Sequence, residues 1–155
     1  GLPVPRAKQL YIMLDTKREA DALGVPFGRV SDPVGRPVER CFSLYPWACS
    51  HGRGTQLLLA FMRAAFAEGV DTGSDRGLRH VVERAGLAWD EARTQLDREG
   101  WREALEQNRK QLFALGLWGV PSFLIIGTAG RPDYSTWGQD RLWRIEAELR
   151  ARLAT

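Results

Sequence analysis

The chain has 155 residues, 44% hydrophobic and 26% charged, a balance that suits one well-buried core or two small lobes and excludes disordered, collagen-like and rod-like chains. Its net charge of +3 is the difference between 22 basic and 19 acidic side chains interspersed along the sequence, so nucleic acid is not an expected partner. Cys41 and Cys49 form no CxxC pair and stand in no His/Cys cluster of metal-ligand spacing; no metal site or disulfide scaffold is expected, and both read as buried small apolar residues.

The opening Gly1-Leu2-Pro3-Val4-Pro5 is loop-like and lacks an initiator Met, which reads as the middle of a longer polypeptide. Residues 8–23 carry Leu10, Met13, Leu14, Ala20 and Leu23 near helical spacing with Gly24 as the stop, so they predict a helix. Residues 25–35, with Pro26, Pro33 and three glycines nearby, predict irregular backbone. A helix restarts over 37–49, with Pro37 in its first turn and Pro46 bending it. Thr55 is the expected cap of a central helix over the apolar run 57–66. Ser74 is the expected cap of a short helix buried through Leu78, Val81, Val82 and Ala85. Helical rhythm continues through 90–99 and 101–115.

The pattern then changes. Residues 122–127 form a short apolar run of strand formers, 128–133 a turn, and 134–137 a return strand. Leu142, Ile145, Leu149 and Leu153 predict a final amphipathic helix over 139–153. No basic-then-apolar leader and no run of about 18 apolar residues occurs, so the cytoplasm is the expected compartment and no membrane is an expected partner.

Two motifs carry chemistry. In Gly119-Val120-Pro121-Ser122-Phe123, a Val-Pro pair entering a strand is a candidate cis peptide; it would turn the backbone of Val120 outward to pair with an extended peptide, and the cysteinyl part of glutathione has the right size. The alternative is that Pro121 only begins a strand. In Trp137-Gly138-Gln139-Asp140-Arg141, Gly138 allows close approach to the main chain, Gln139 and the amides of a helix start can hold a carboxylate, and Asp140 can meet an ammonium. A γ-glutamyl group carries both charges. The alternative is an N-cap by Asp140 with Arg141 solvated. Lys8, with Arg6 nearby, is a candidate for the acidic end of a ligand or a solvated helix start. Trp118 and Trp137 flank the motifs and stand beside a substrate or pack in the core. His51 and His80 have no fixed spacing to a nucleophile and read as surface residues.

Together these segments resemble the 2-hydroxychromene-2-carboxylate isomerase and kappa-class glutathione transferase family, relatives of the DsbA-like oxidoreductases. The resemblance rests on Gly1-Leu2-Pro3 through Lys8-Gln9-Leu10-Tyr11 with Asp15, on Gly24-Val25-Pro26, on Gly116 to Pro121, and on Trp137 to Arg141. It implies an α/β thioredoxin-like fold with a large all-helical insertion, of which only the C-terminal strand-strand-helix half of the thioredoxin lobe is present: residues 1–115 form the helical part with its lead-in and 116–155 the thioredoxin part. It implies glutathione as cofactor, held by Lys8, Trp118, Val120, Pro121, Gly138, Gln139, Asp140 and Arg141. The catalytic residue is unknown, because the family's activating Ser or Cys falls in a segment that would precede Gly1. The implied activity is a glutathione-dependent isomerase or transferase acting on a small electrophilic, aromatic substrate, possible as a homodimer. The alternatives are a DsbA-like thiol-disulfide oxidoreductase and a non-catalytic helical scaffold.

Overall fold

The structure is a computed structural model, and it describes residues 4–96 and 98–154. Two compact units divide the chain, Gly1–Trp101 and Arg102–Thr155.

The first unit begins with α1 (Arg6–Ala22), which ends at Gly24 with φ +65°. Its apolar side chains do not gather on one stripe, and Leu10, Met13 and Leu14 are exposed while only Ala20 is buried. The prolines of 25–35 keep this stretch irregular as expected, and it runs beside the third helix: the N–H of Gly28 donates to Phe66 (3.0 Å) and that of Ser31 to Ala65 (2.8 Å).

The core is built by α2 (Arg36–Ser50), α3 (Gly54–Phe66) and α4 (Asp75–Arg84). Cys41 and Leu44 from α2, Leu57 and Phe61 from α3, and Leu78 and Val82 from α4 form one contiguous apolar cluster, the main source of stability in such a unit. Arg53 rather than Thr55 occupies the N-cap position of α3, without a side-chain cap bond, because the helix already begins at Gly54 and takes Thr55 into its first turn. Ser74 caps α4 as expected, its Oγ accepting from the N–H of Gly77 at 3.1 Å. The helical rhythm of 90–99 yields only α5 (Trp89–Ala92) and a 3-10 turn, Arg93–Gln95.

Two polar devices tie the core helices at their ends. Arg40, buried on α2, donates to the carbonyl of Gly73 at 2.7 Å and forms an ion pair with Asp75 at the start of α4. Glu68, just beyond α3, accepts from His80 Nε2 (2.9 Å) and Arg84 Nη1 (2.6 Å) on α4 and from Arg63 Nε (3.1 Å). The hydrogen bond from His80, with Arg63 and Arg84, holds the Glu68 carboxyl below its ordinary value of 4.5. A carboxyl lowered in the folded state adds stability above its unfolded pKa, and loses it as pH falls through the folded one. Glu68→Gln should therefore cost roughly 0.5–1 kcal/mol at pH 7. Thermal melts should show the gap between variant and wild type closing as the pH is brought well below 4.5; a constant gap would refute the assignment.

The second unit holds most of α6 (Gly100–Ala114), then β1 (Ser122–Ile125), β2 (Tyr134–Trp137), a 3-10 turn (Gln139–Arg141) and α7 (Leu142–Leu153). β1 and β2 pair antiparallel with Ser122 opposite Trp137 and Ile125 opposite Tyr134. Burial alternates along β1, with Phe123 and Ile125 half-buried and Leu124 exposed, and the strand packs on α7. A two-stranded ribbon needs such a helix across one face. The intervening turn is tied to α7 by Arg131 donating to Ala151 and Arg152 donating to Pro132, each at 2.9 Å. Among the described residues no helix is long and apolar enough to cross a membrane.

Candidate functional site

The Val120–Pro121 peptide is cis, and β1 begins at the next residue, Ser122. Val120 is 87% exposed. Neither its N–H nor its C=O has a hydrogen-bond partner among the described residues, which leaves one backbone donor and one acceptor open beside the end of β1.

The sheet register brings the second motif to the same place. Ser122 faces Trp137, so the next residue, Gly138, falls beside Pro121, and its N–H donates to the Pro121 carbonyl at 3.0 Å. Gly138 has φ +113°, and a Cβ there would lie 2.5 Å from Asp140 Oδ1; only glycine combines this backbone with so close a neighbour. Pro121 and Gly138, 17 positions apart in sequence, are thus brought together by the hairpin, and the two motifs adjoin.

The helix start expected at Gln139 is different in detail. Residues Gln139–Arg141 form a 3-10 turn closed by the N–H of Arg141 donating to Gly138 (3.1 Å), and α7 begins only at Leu142. Asp140 caps nothing: neither this turn nor α7 has a side-chain cap bond, and the carboxylate instead lies 3.4 Å from Arg141 Nε. The reason is local, since Gly138 already has its carbonyl and N–H engaged and its conformation turns the chain before a full helical turn can close. The backbone N–H groups of Gln139 and Asp140 have no partner among the described residues. Both side chains are exposed.

Trp118 and Trp137 lie together, ring centroids 5.7 Å apart and planes tilted by 35°. They are exposed rather than core residues, at 69% and 43%. Sequence reading did not assign Gly119 a role, yet a Cβ there would fall 2.1 Å from Trp137 Nε1; the glycine is what lets the indole lie against the 118–121 turn. Ser122 Oγ fixes that turn by donating to the Gly119 carbonyl at 2.5 Å. A glycine two positions before a strand-opening proline is the signal that could have shown it.

Of the eight candidates, seven belong to the second unit. Lys8 is the exception: it is exposed in the first turn of α1, with no ion-pair partner among the described residues. His51 and His80 are on the surface as expected, His80 engaged by Glu68. Cys41 is buried, and burial pushes its thiol up to about 12, so it is no nucleophile at neutral pH. Cys49 is exposed, not buried; eight positions along an α-helix turn a side chain by roughly 80° from the first, out of the core face. Among the described residues no group of His, Cys, Asp and Glu side chains could hold a metal ion.

A second concave surface lies in the first unit, a cleft of about 880 Å³ between α1, the 25–34 stretch and α3, lined by Met13, Phe27, Val30, Leu59 and Met62 among others.

A family model described as "DSBA-like thioredoxin domain" matches residues 3–150. No curated protein matches the chain.

Proposed function

The chain belongs to the DSBA-like thioredoxin domain family, whose role is thiol-related, of oxidoreductase or transferase type, and from that footing we propose that its second unit holds glutathione in a glutathione-dependent isomerase or transferase acting on a small electrophilic, aromatic substrate. The single observation that carries the reading is the open backbone pair of Val120 lying one residue from the Pro121–Gly138 hydrogen bond. Because Gly138 is hydrogen-bonded to Pro121 at 3.0 Å, one short peptide can meet Val120 and the residues that follow Gly138 together.

The fit can be tested group by group. The N–H and C=O of Val120 suit the amide flanks of a cysteinyl residue, which is recognition of an extended peptide by a strand edge. The free amides of Gln139 and Asp140 suit the γ-glutamyl carboxylate, and the Asp140 carboxylate suits its ammonium. Arg141 Nε lies 3.4 Å from that carboxylate and forms an ion pair with it. Bound glutathione would supply the thiol, which would add to one carbon of a conjugated double bond as that π bond opens and the thiol proton passes to the substrate. The residues of this unit contribute position and charge neutralisation.

Calorimetric titration with glutathione tests the reading. One site with measurable heat is expected, and Asp140→Asn should weaken it about tenfold, the worth of one charge-assisted hydrogen bond. Absence of both heat and thermal shift would leave the helical scaffold reading instead.

Family membership also supports thiol-disulfide exchange on an extended peptide held at the same edge. No CxxC occurs within the 155 residues, and the Cys41 thiol is held protonated, so this reading requires a dithiol that the present residues do not supply. A cysteine-containing peptide displacing glutathione at lower concentration would favour it.

A further inference from the structure

We infer that the Trp118–Trp137 indole pair is the platform that selects a flat aromatic group carried on the sulfur of bound glutathione, Trp118 being the specificity-determining residue; this rests on the glutathione reading above. Large indoles normally hide their apolar area, yet these two are 69% and 43% exposed and lie side by side. Another bare indole of this unit, Trp143 at 64%, has the guanidinium of Arg144 over one face, 5.2 Å from its ring centroid.

The pair is held in place. Trp137 is fixed by its register opposite Ser122 and by the bare Cα of Gly119 against its indole nitrogen. Trp118 precedes by two residues the open backbone pair of Val120, and the intervening Gly119 carbonyl is held by Ser122 Oγ. A peptide whose cysteinyl residue pairs with Val120 therefore has its sulfur substituent within reach of a preformed aromatic surface. Rigid indoles lose little conformational entropy when they stack, and aromatic pairs gain beyond the area they bury. Such a surface favours planar rings over small aliphatic groups, because a flat ring can cover the apolar face of an indole and a methyl group cannot.

The test compares S-(2,4-dinitrophenyl)glutathione with S-methylglutathione by calorimetry, so that no turnover is needed. The wild-type protein should prefer the aryl form about tenfold, the equivalent of 1.4 kcal/mol. Trp118→Ala should bring the ratio of the two affinities close to one, whatever it does to either alone, and Trp118→Phe should restore most of it. Equal affinities in the wild type, or a preference that survives Trp118→Ala, would overturn the platform while leaving the glutathione site standing. Failure of the wild type to bind either conjugate or glutathione itself would overturn both.

Discussion

Gly77→Ala should destabilise the first unit by about 3 kcal/mol and lower the thermal midpoint of the chain by roughly 6–12 °C. Two effects oppose each other at this position. Gly77 lies in the first turn of α4, where an alanine is favoured over glycine by about 1 kcal/mol on helix propensity alone. Against that, a Cβ would stand 1.9 Å from the carbonyl oxygen of Asp71, 2.7 Å from its carbonyl carbon and 3.0 Å from Val70 Cγ1. The obstacle is main chain, and it cannot rotate aside: the Asp71 carbonyl also accepts from Ser74 Oγ at 2.8 Å, while Ser74 Oγ in turn accepts from the Gly77 N–H. Relief would require moving the turn away from α4, breaking the cap and exposing Leu78 and Val81, both fully buried. Overpacking therefore wins over propensity. Gly100→Ala is the control, because it also opens a helix and has nothing within 4 Å of its Cβ position. If both variants melt like the wild type, the close seating of the 71–74 turn under α4 is wrong.

What could be read from the residues follows a physical division. Helices α2, α3 and α4 were legible because their core residues recur at helical spacing, and the cap of α4 because Ser74 stands one turn ahead of the apolar face that begins at Leu78. β1 and β2 were legible from strand formers on either side of a Gly-Pro turn. The register was not, since pairing Ser122 with Trp137 depends on how Gly127 passes the turn, with its N–H on Asp133 Oδ1 at 2.6 Å. The candidate site inherits the same split. The residue types of both motifs pointed to a zwitterionic thiol peptide, but that Gly138 spends its N–H on Pro121, leaving the amides of Gln139 and Asp140 free, is a consequence of register and could not be counted from the sequence. The exposure of α1 was likewise hidden: its apolar residues occur at plausible intervals, yet they spread around the helix instead of forming a stripe.

The second large effect is expected at Gly138. Replacing it with alanine should weaken glutathione binding by a factor of ten or more, with a loss of hairpin stability of about 1–3 kcal/mol. At φ +113° an L side chain is strained wherever it stands. The added Cβ would also meet Asp140 Oδ1 at 2.5 Å, and because that atom ends a flexible side chain, the carboxylate will swing aside rather than the backbone move. Binding then suffers twice, by displacement of the group proposed to meet the ammonium and by strain on the N–H that ties Gly138 to Pro121. Gly130→Ala separates the two causes: its φ of +87° imposes similar strain in the same hairpin, but nothing lies within 4 Å of the new methyl group. The expected result is that both variants lose stability in thermal melts, whereas only Gly138→Ala loses affinity beyond what its unfolded fraction explains. Equal affinity losses would assign the effect to the hairpin as a whole, and an undiminished affinity in Gly138→Ala would remove Gly138 and Asp140 from the site.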